Sequence, residues 1–287
     1  MSNILEVKGL CKNYANSEFS LKDVTFSMPR GAIMGFVGEN GSGKSSTIGC
    51  ILNTRLKDGG TVEIFGQEMA DNRTDIRDDI GVVYDTNAFQ PHLTPTQISS
   101  AMRYIYSKWD KALFKDYLKK FKLPEKQRVK EFSRGMTMKL CVAVALSHRP
   151  KLLLLDEATS GLDPIVRDDI LDILLDFVQD EDNSILLSSH ITSDLEKVAD
   201  YITFIHDGKI ILSESKDNLR YNYGVMRLKA AQFAEIDKAD ILTYRKHDYQ
   251  IDVLVADKQA ASKKYRDAII DTITIEEIMI MLVKGEK

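Results

Sequence analysis

The 287-residue sequence carries 39 basic and 43 acidic side chains, for a net charge of −4 and a pI near 5.8, which excludes the generally basic surface that holds nucleic acid. Its 44% hydrophobic and 29% charged residues suit one large domain, or one domain and a smaller one, and no apolar run approaches the roughly 20 residues of a membrane-spanning helix. The start, Met1-Ser2-Asn3-Ile4-Leu5-Glu6, lacks a basic region before an apolar core, so no signal peptide is expected; Cys11, Cys50 and Cys141 have neither metal nor redox spacing and fit a reducing cytoplasm.

In chain order, residues 4–12 and 19–28 read as two strands joined by a polar turn at 13–18. Tyr14 lies in that turn, and two readings stand open for it: half-buried packing, or a flat ring able to stack on a purine. Ala32–Val37 reads as a buried strand. It runs into Gly38-Glu39-Asn40-Gly41-Ser42-Gly43-Lys44-Ser45, and the apolar spacing of Ser46–Leu52 opens a helix. Strand, glycine-rich turn, Lys-Ser and helix is the context of a phosphate-binding P-loop. The glycines let backbone N–H groups face one anion, and the helix aims its positive end at the same point. Gly38, Asn40, Gly41, Gly43, Lys44, Ser45 and Ser46 are thus expected to hold a nucleoside triphosphate. Lys44 would reach the β- and γ-phosphates, and the Ser45 hydroxyl would face Mg²⁺.

Asp58-Gly59-Gly60 reads as a turn before a strand at Thr61–Phe65. The polar stretch Arg73–Asp79 precedes another strand, Ile80–Tyr84. From about residue 86 to 150 the signals become helical. Thr94-Pro95-Thr96-Gln97 has the residues of a capping box with proline at the first helical position. Ile98, Met102, Ile105 and Trp109 would then share one helical face. Ala112–Phe121 reads as a further helix that Leu123-Pro124 ends.

Lys151–Leu155 returns to strand and runs into Asp156-Glu157. A carboxylate at the end of a buried strand beside a P-loop strand suits Mg²⁺, and the next residue suits polarising an attacking water. Asp163-Pro164 starts a helix of about four turns. Ser184–Ser188 is a short buried strand, Ile191–Val198 a short helix, and 201–205 with 209–212 a hairpin over Asp207-Gly208. His190, just past the strand, would stand at the sheet edge that carries the phosphate site. Helices alternating with short apolar strands predict an α/β fold with a mostly parallel sheet covered on both faces. Past about Ser215 the pattern changes to a small α+β appendix, with strands at 225–228 and 250–255 and a capping box at Thr274-Ile275-Glu276-Glu277. Its apolar stripe is Ile275, Ile278, Met279 and Leu282.

Several of these residues carry a family resemblance. Phe132-Ser133-Arg134-Gly135-Met136 resembles the signature motif of the ATP-binding-cassette (ABC) ATPases. Asp156-Glu157-Ala158-Thr159-Ser160-Gly161-Leu162-Asp163-Pro164 resembles their Walker B segment and D-loop, Ser189-His190 their H-loop, and Tyr14 falls at their adenine-stacking aromatic. The resemblance covers roughly residues 4–213 and implies an ABC ATPase fold: a mixed sheet core with an antiparallel β subdomain and an α-helical subdomain at about 86–150. Residues 1–215 would form that ATP-binding domain and 216–287 the appendix, either a passive cap or a dimer contact and regulatory lobe.

The family works as head-to-tail pairs, which gives Ser133 and Gly135 a role: they would meet the partner's nucleotide at the N-terminus of the helix that follows. The resemblance also implies Glu157 and His190 as catalytic residues, and ATP with Mg²⁺ on Ser45 and Asp156. Two departures stand out. Arg134 and Met136 replace a glycine and a glutamine of the usual signature, and Asp85 stands where the family has a metal- and water-contacting glutamine. An acidic oxygen there predicts a ligand to Mg²⁺ and a coupling residue. Motif wording is closest to ATPases of bacterial exporters of peptides, antibiotics and amphipathic toxins. The expected partners are a membrane permease and a second ATPase subunit, with the chain peripheral on the cytoplasmic face of the membrane and no nucleic acid bound. Ribosome- or DNA-acting ABC ATPases and P-loop phosphotransferases are the alternatives; the first have two cassettes or a long coiled coil, and the second need an acceptor other than water.

Overall fold

A computed structural model describes residues 2–15, 17–70, 73–86 and 89–286. The chain opens with β1 (Asn3–Asn13) and β2 (Ser20–Pro29), and β3 (Ile33–Val37) leads through the glycine-rich turn into α1 (Lys44–Ile51). Then come β4 (Gly59–Ile64), β5 (Gln67–Glu68), α2 (Thr74–Asp78) and β6 (Ile80–Tyr84). Helices α3 (Pro95–Met102), α4 (Lys111–Lys120) and α5 (Arg134–Leu146) fill the stretch before β7 (Leu152–Asp156). The core closes with α6 (Pro164–Phe177), β8 (Ser184–Ser189), α7 (Thr192–Val198), β9 (Tyr201–His206) and β10 (Lys209–Ser215). The last segment holds α8 (Lys216–Asn222), β11 (Gly224–Leu228), α9 (Ala230–Phe233), β12 (Thr243–Lys246), β13 (Ile251–Val255), α10 (Lys258–Lys264), β14 (Ile269–Asp271) and α11 (Ile275–Lys284).

These strands build three sheets. The central one runs β10-β9-β3-β8-β7-β6, parallel except for β10 at its edge. Its middle strands β3, β7 and β8 are buried along their whole length, as apolar strands covered on both faces must be. Alternation sorts their side chains. Ile33, Val37, Leu153, Leu155, Ile185 and Leu187 pack with α5, α6 and α7 on one face. Met34, Phe36, Leu152, Leu154 and Leu186 pack with α1 and the antiparallel sheet β2-β1-β4-β5 on the other. The third sheet, β12-β13-β11-β14, is antiparallel and C-terminal.

The structure departs from the sequence reading in four places. Gly59 and Gly60 begin β4 instead of forming a turn, and α2 occupies the stretch read only as polar. Helix α3 stops at Met102, so Ile105 leaves the proposed face and stands 64% exposed. The third sheet has four strands where two were expected. Its extra members, β12 and β14, are its edges and only four and three residues long. The capping boxes at Thr94 and Thr274 form as read, each threonine accepting the N–H three residues on. The helical stretch that replaces strands begins beyond residues 87 and 88, which lie outside the described residues.

Candidate functional site

Three parallel strands end together beside the glycine-rich turn. Val37 pairs with Ser189, and Asp156 pairs with Ser188, so the turn sits at the carboxyl edge of the sheet, where open α/β folds take ligands. Gly43 holds a φ of +117°, and a Cβ there would stand 2.8 Å from Leu21, so α1 can begin this close to β2 only with glycine. The turn is braced from behind: Gly208 N donates to Ser42 O at 2.9 Å, and the Thr47 hydroxyl donates to Gly43 O at 2.9 Å. Helix α1 has no side-chain cap, which leaves its first N–H groups for an anion.

Lys44 is 5% exposed and folds back over the turn, donating from Nζ to Gly38 O at 2.7 Å and to Glu39 O at 3.1 Å. The same Nζ stands 3.0 Å from Oε1 of Glu157, whose Oε2 meets Nδ1 of His190 at 2.7 Å. Glu157 is thus held from both sides. Its own N–H donates to the Ser188 hydroxyl at 3.1 Å, and that hydroxyl donates to Oδ1 of Asp156 at 2.8 Å. Ser188, fully buried, fixes both neighbouring carboxylate residues, a function the sequence did not reveal. Glu157 has a φ of +55°, a left-handed backbone that a non-glycine residue holds at a cost of about 1–3 kcal/mol.

A recess of about 320 Å³ is lined by Phe19, Asn40, Gly41, Gly43, Lys44, Ser45, Ser46 and Glu157. Most of the residues expected around a triphosphate therefore meet in one place. Tyr14 is tied to it: its hydroxyl donates to Ser46 Oγ at 2.8 Å, and Arg55 Nη1 reaches both oxygens at 3.2 Å. Phe19 lies 6.1 Å from the Tyr14 ring, centre to centre, and is the aromatic that lines the recess itself. It was missed, although its place two residues before Leu21 on an alternating strand was the available signal.

One predicted group lies apart from this recess. Ser133 caps α5, accepting the Met136 N–H at 3.2 Å, and Gly135 packs so closely on α6 that a Cβ would stand 3.0 Å from Val166. Arg134 lays its guanidinium over the D-loop, where a Cβ on Gly161 would come within 2.8 Å of Nη1. Asp85 follows Tyr84, which is in register with Asp156 on the neighbouring strand, and it lines a recess with Phe132, Arg134, Thr137 and Met138 at the start of α5. Next to it, burial and then the charge of Asp156 push the Tyr84 phenol above its ordinary pKa.

The chain's likeness to known proteins agrees with this geometry. The family model described as "ABC transporter" matches residues 21–160. The bacitracin transport ATP-binding protein BcrA of Bacillus licheniformis is 31% identical over 88% of this chain and 83% of its own length. The chain belongs to the ABC transporter ATP-binding proteins. Another such relative, the lantibiotic transport ATP-binding protein SrtF of Streptococcus pyogenes, is 33% identical over 75% of this chain and 92% of its own. Among solved structures, the ATP binding subunit of an ABC transporter superposes with a TM-score of 0.68 at 28% identity, covering 76% of this chain and 92% of that one. As an ABC ATPase the chain binds ATP and hydrolyses it. No helix among the described residues is long and apolar enough to cross a membrane.

Proposed function

We propose that this ABC ATPase powers export of peptides, antibiotics or other amphipathic compounds, working in a pair on a separate membrane permease from the cytoplasmic face. The bacitracin and lantibiotic names of its relatives support the cargo class, and the single observation that carries the chemistry is Glu157 suspended between Lys44 and His190.

Lys44 and the first N–H groups of α1 bind the phosphates, and the exposed edge of Tyr14 and Phe19 takes the adenine. ATP displaces the Lys44 ammonium from Glu157 by offering it phosphate oxygens. Freed from that cation and still oriented by His190, Glu157 accepts a proton from the attacking water as its oxygen bonds to the γ-phosphorus and the bond from that phosphorus to the β–γ bridging oxygen breaks, releasing ADP and phosphate. The residues fit a divalent ion as well: Ser45 opens into the recess, and Ser188 holds one oxygen of Asp156 while the other is uncommitted. Ser45 and Asp156 would hold Mg²⁺, which supplies positive charge to the phosphate oxygens. Ser133 and Gly135 meet the nucleotide of the second subunit, so ATP closes the pair and its cleavage lets the two part. We assign residues 216–287 to a lobe that bears on this motion.

The test is phosphate release from purified protein with Mg²⁺ and ATP, with no acceptor substrate present. Glu157→Gln is expected to keep nucleotide affinity and lose about 10²-fold or more in rate, the contribution of a positioned general base. Turnover of that variant at the wild-type rate would remove Glu157 from the chemistry. Co-purification with a multi-span membrane protein, rather than with ribosomes, tests the transport assignment.

A further inference from the structure

Arg167 and Asp194 take no part in the site described above, yet they lie between its two halves. Arg167 stands in the first turn of α6, where Nη2 donates to Leu162 O at 3.2 Å, the carbonyl just after Gly161. From the same guanidinium, Nη1 lies 3.5 Å from Oδ1 of Asp194. Asp194 is 2% exposed and sits in the first turn of α7, four residues past His190. A carboxylate so deeply buried is costly unless it is fully paired. Here the pairing is incomplete. Both Nε of Arg167 and Oδ2 of Asp194 are buried without a hydrogen-bond partner. A guanidinium and a carboxylate with one long contact and one spare atom each have a tighter, two-bonded arrangement within reach.

The ends of this pair matter. On one side, Gly161 and Leu162 form the turn on which Arg134, at the start of the signature helix, rests. On the other, α7 starts directly after His190, which holds Glu157 at 2.7 Å. We propose that Arg167 and Asp194 are a positioning pair for hydrolysis, loose in this state and two-bonded when the signature end of the same chain is engaged. Engagement moves the Gly161 turn with Arg134. Arg167, held to Leu162 O, then closes on both oxygens of Asp194 and draws the start of α7, and so His190, into its working place. The pair gives the Arg134 substitution a purpose, since a glycine at that position could not press on the turn. This inference rests on the reading of Ser133 and Gly135 as contacts to the second subunit's nucleotide.

The experiment uses full-length protein and four variants: Arg167→Met, Arg167→Lys, Asp194→Asn and the double Arg167→Met/Asp194→Asn. Rates are measured against ATP and protein concentration, with a fluorescent ATP analogue for affinity and thermal unfolding for the folded fraction. Each single variant is expected to lose about tenfold in kcat with KM and analogue affinity unchanged, a coupling effect of ordinary size. Arg167→Lys should fail as well, since a lysine's compact ammonium lacks the planar fork that pairs two carboxylate oxygens side by side while another N–H holds Leu162 O. The double variant should be no slower than the slower single one. Wild-type kcat in Arg167→Met, losses that multiply in the double variant, or a loss that vanishes on correction for folded fraction would each overturn the pair. Failure of the wild type itself to release phosphate would instead overturn the function proposed for the site.

Discussion

Lys44 makes three contacts with one ammonium, to the carbonyls of Gly38 and Glu39 and to Oε1 of Glu157, and the bond to Gly38 O is buried. Lys44→Ala is therefore expected to do two things. It should abolish measurable binding of a fluorescent ATP analogue, and it should lower stability by about 1–3 kcal/mol, the usual cost of leaving a buried polar group unsatisfied. Glu157→Gln keeps a side chain of the same shape between Lys44 and His190, so its unfolding midpoint should move less. A Lys44→Ala protein that melts like the wild type would show that Glu157 finds another partner. Asp85 stands one residue past the register partner of Asp156, and we propose it as a metal-side residue, since an acidic oxygen suits Mg²⁺. Asp85→Asn and Asp85→Gln should raise the Mg²⁺ concentration needed for half-maximal rate. Wild-type rates and Mg²⁺ dependence in both would remove Asp85 from the metal.

At the scale of elements, what could be read from the sequence was what local chemistry dictates. The Thr94 and Thr274 caps, the glycine-rich turn, the Asp163-Pro164 start of α6 and the buried strands all have their cause within a few residues. Where the cause lies far away, the sequence was silent. Helix α3 ends at Met102 because Trp109 is turned back to donate to Ser99 Oγ and Asp110 caps the next helix. The edge strands β12 and β14 exist only through pairing with β13 and β11. Thr94→Ala should cost about 1 kcal/mol, the ordinary worth of such a cap, read as a shift in the denaturant midpoint.

His148, just past α5, offers a second element-scale test. It is fully buried, meets Ile80 O at 3.1 Å through Nε2 and stacks on Tyr106 at 3.9 Å. Burial pushes its pKa below the ordinary 6.5. The unfolded chain therefore binds a proton that the folded chain refuses, so stability is lost as pH falls below about 6.5 and continues to fall until the folded-state value is reached. Thermal midpoints of wild type and His148→Gln between pH 7.5 and 5 should diverge, with the wild type falling more steeply. Parallel curves would remove His148 as the cause.

For the molecule as a whole, the question is whether residues 216–287 are a separate body or part of one cooperative unit. The apolar groups divide in an informative way. Met226, Leu228, Ile251, Val253 and Val255 form a small cluster on one face of the third sheet. Leu219, Val225, Leu254, Ile273, Ile275, Ile278 and Met281 instead belong to the same continuous cluster as Ile33, Leu155 and Leu195 of the ATPase core. Polar contacts cross the same seam: Glu196 accepts the Ile275 N–H at 3.1 Å, and the Thr192 hydroxyl donates to Glu276 at 3.4 Å. Both partners lie on α7, the helix that follows His190. Ile278 is fully buried at this seam, so Ile278→Ala should cost about 2–5 kcal/mol, the loss of a large buried side chain plus the cavity it leaves. If the segment is one unit with the core, calorimetry will show a single transition displaced downward, and ATP will raise its midpoint in the variant as in the wild type. Two resolved transitions, with only the upper one moved by ATP, would show instead that the lobe unfolds alone, and that α7 senses it through the polar contacts rather than the shared core.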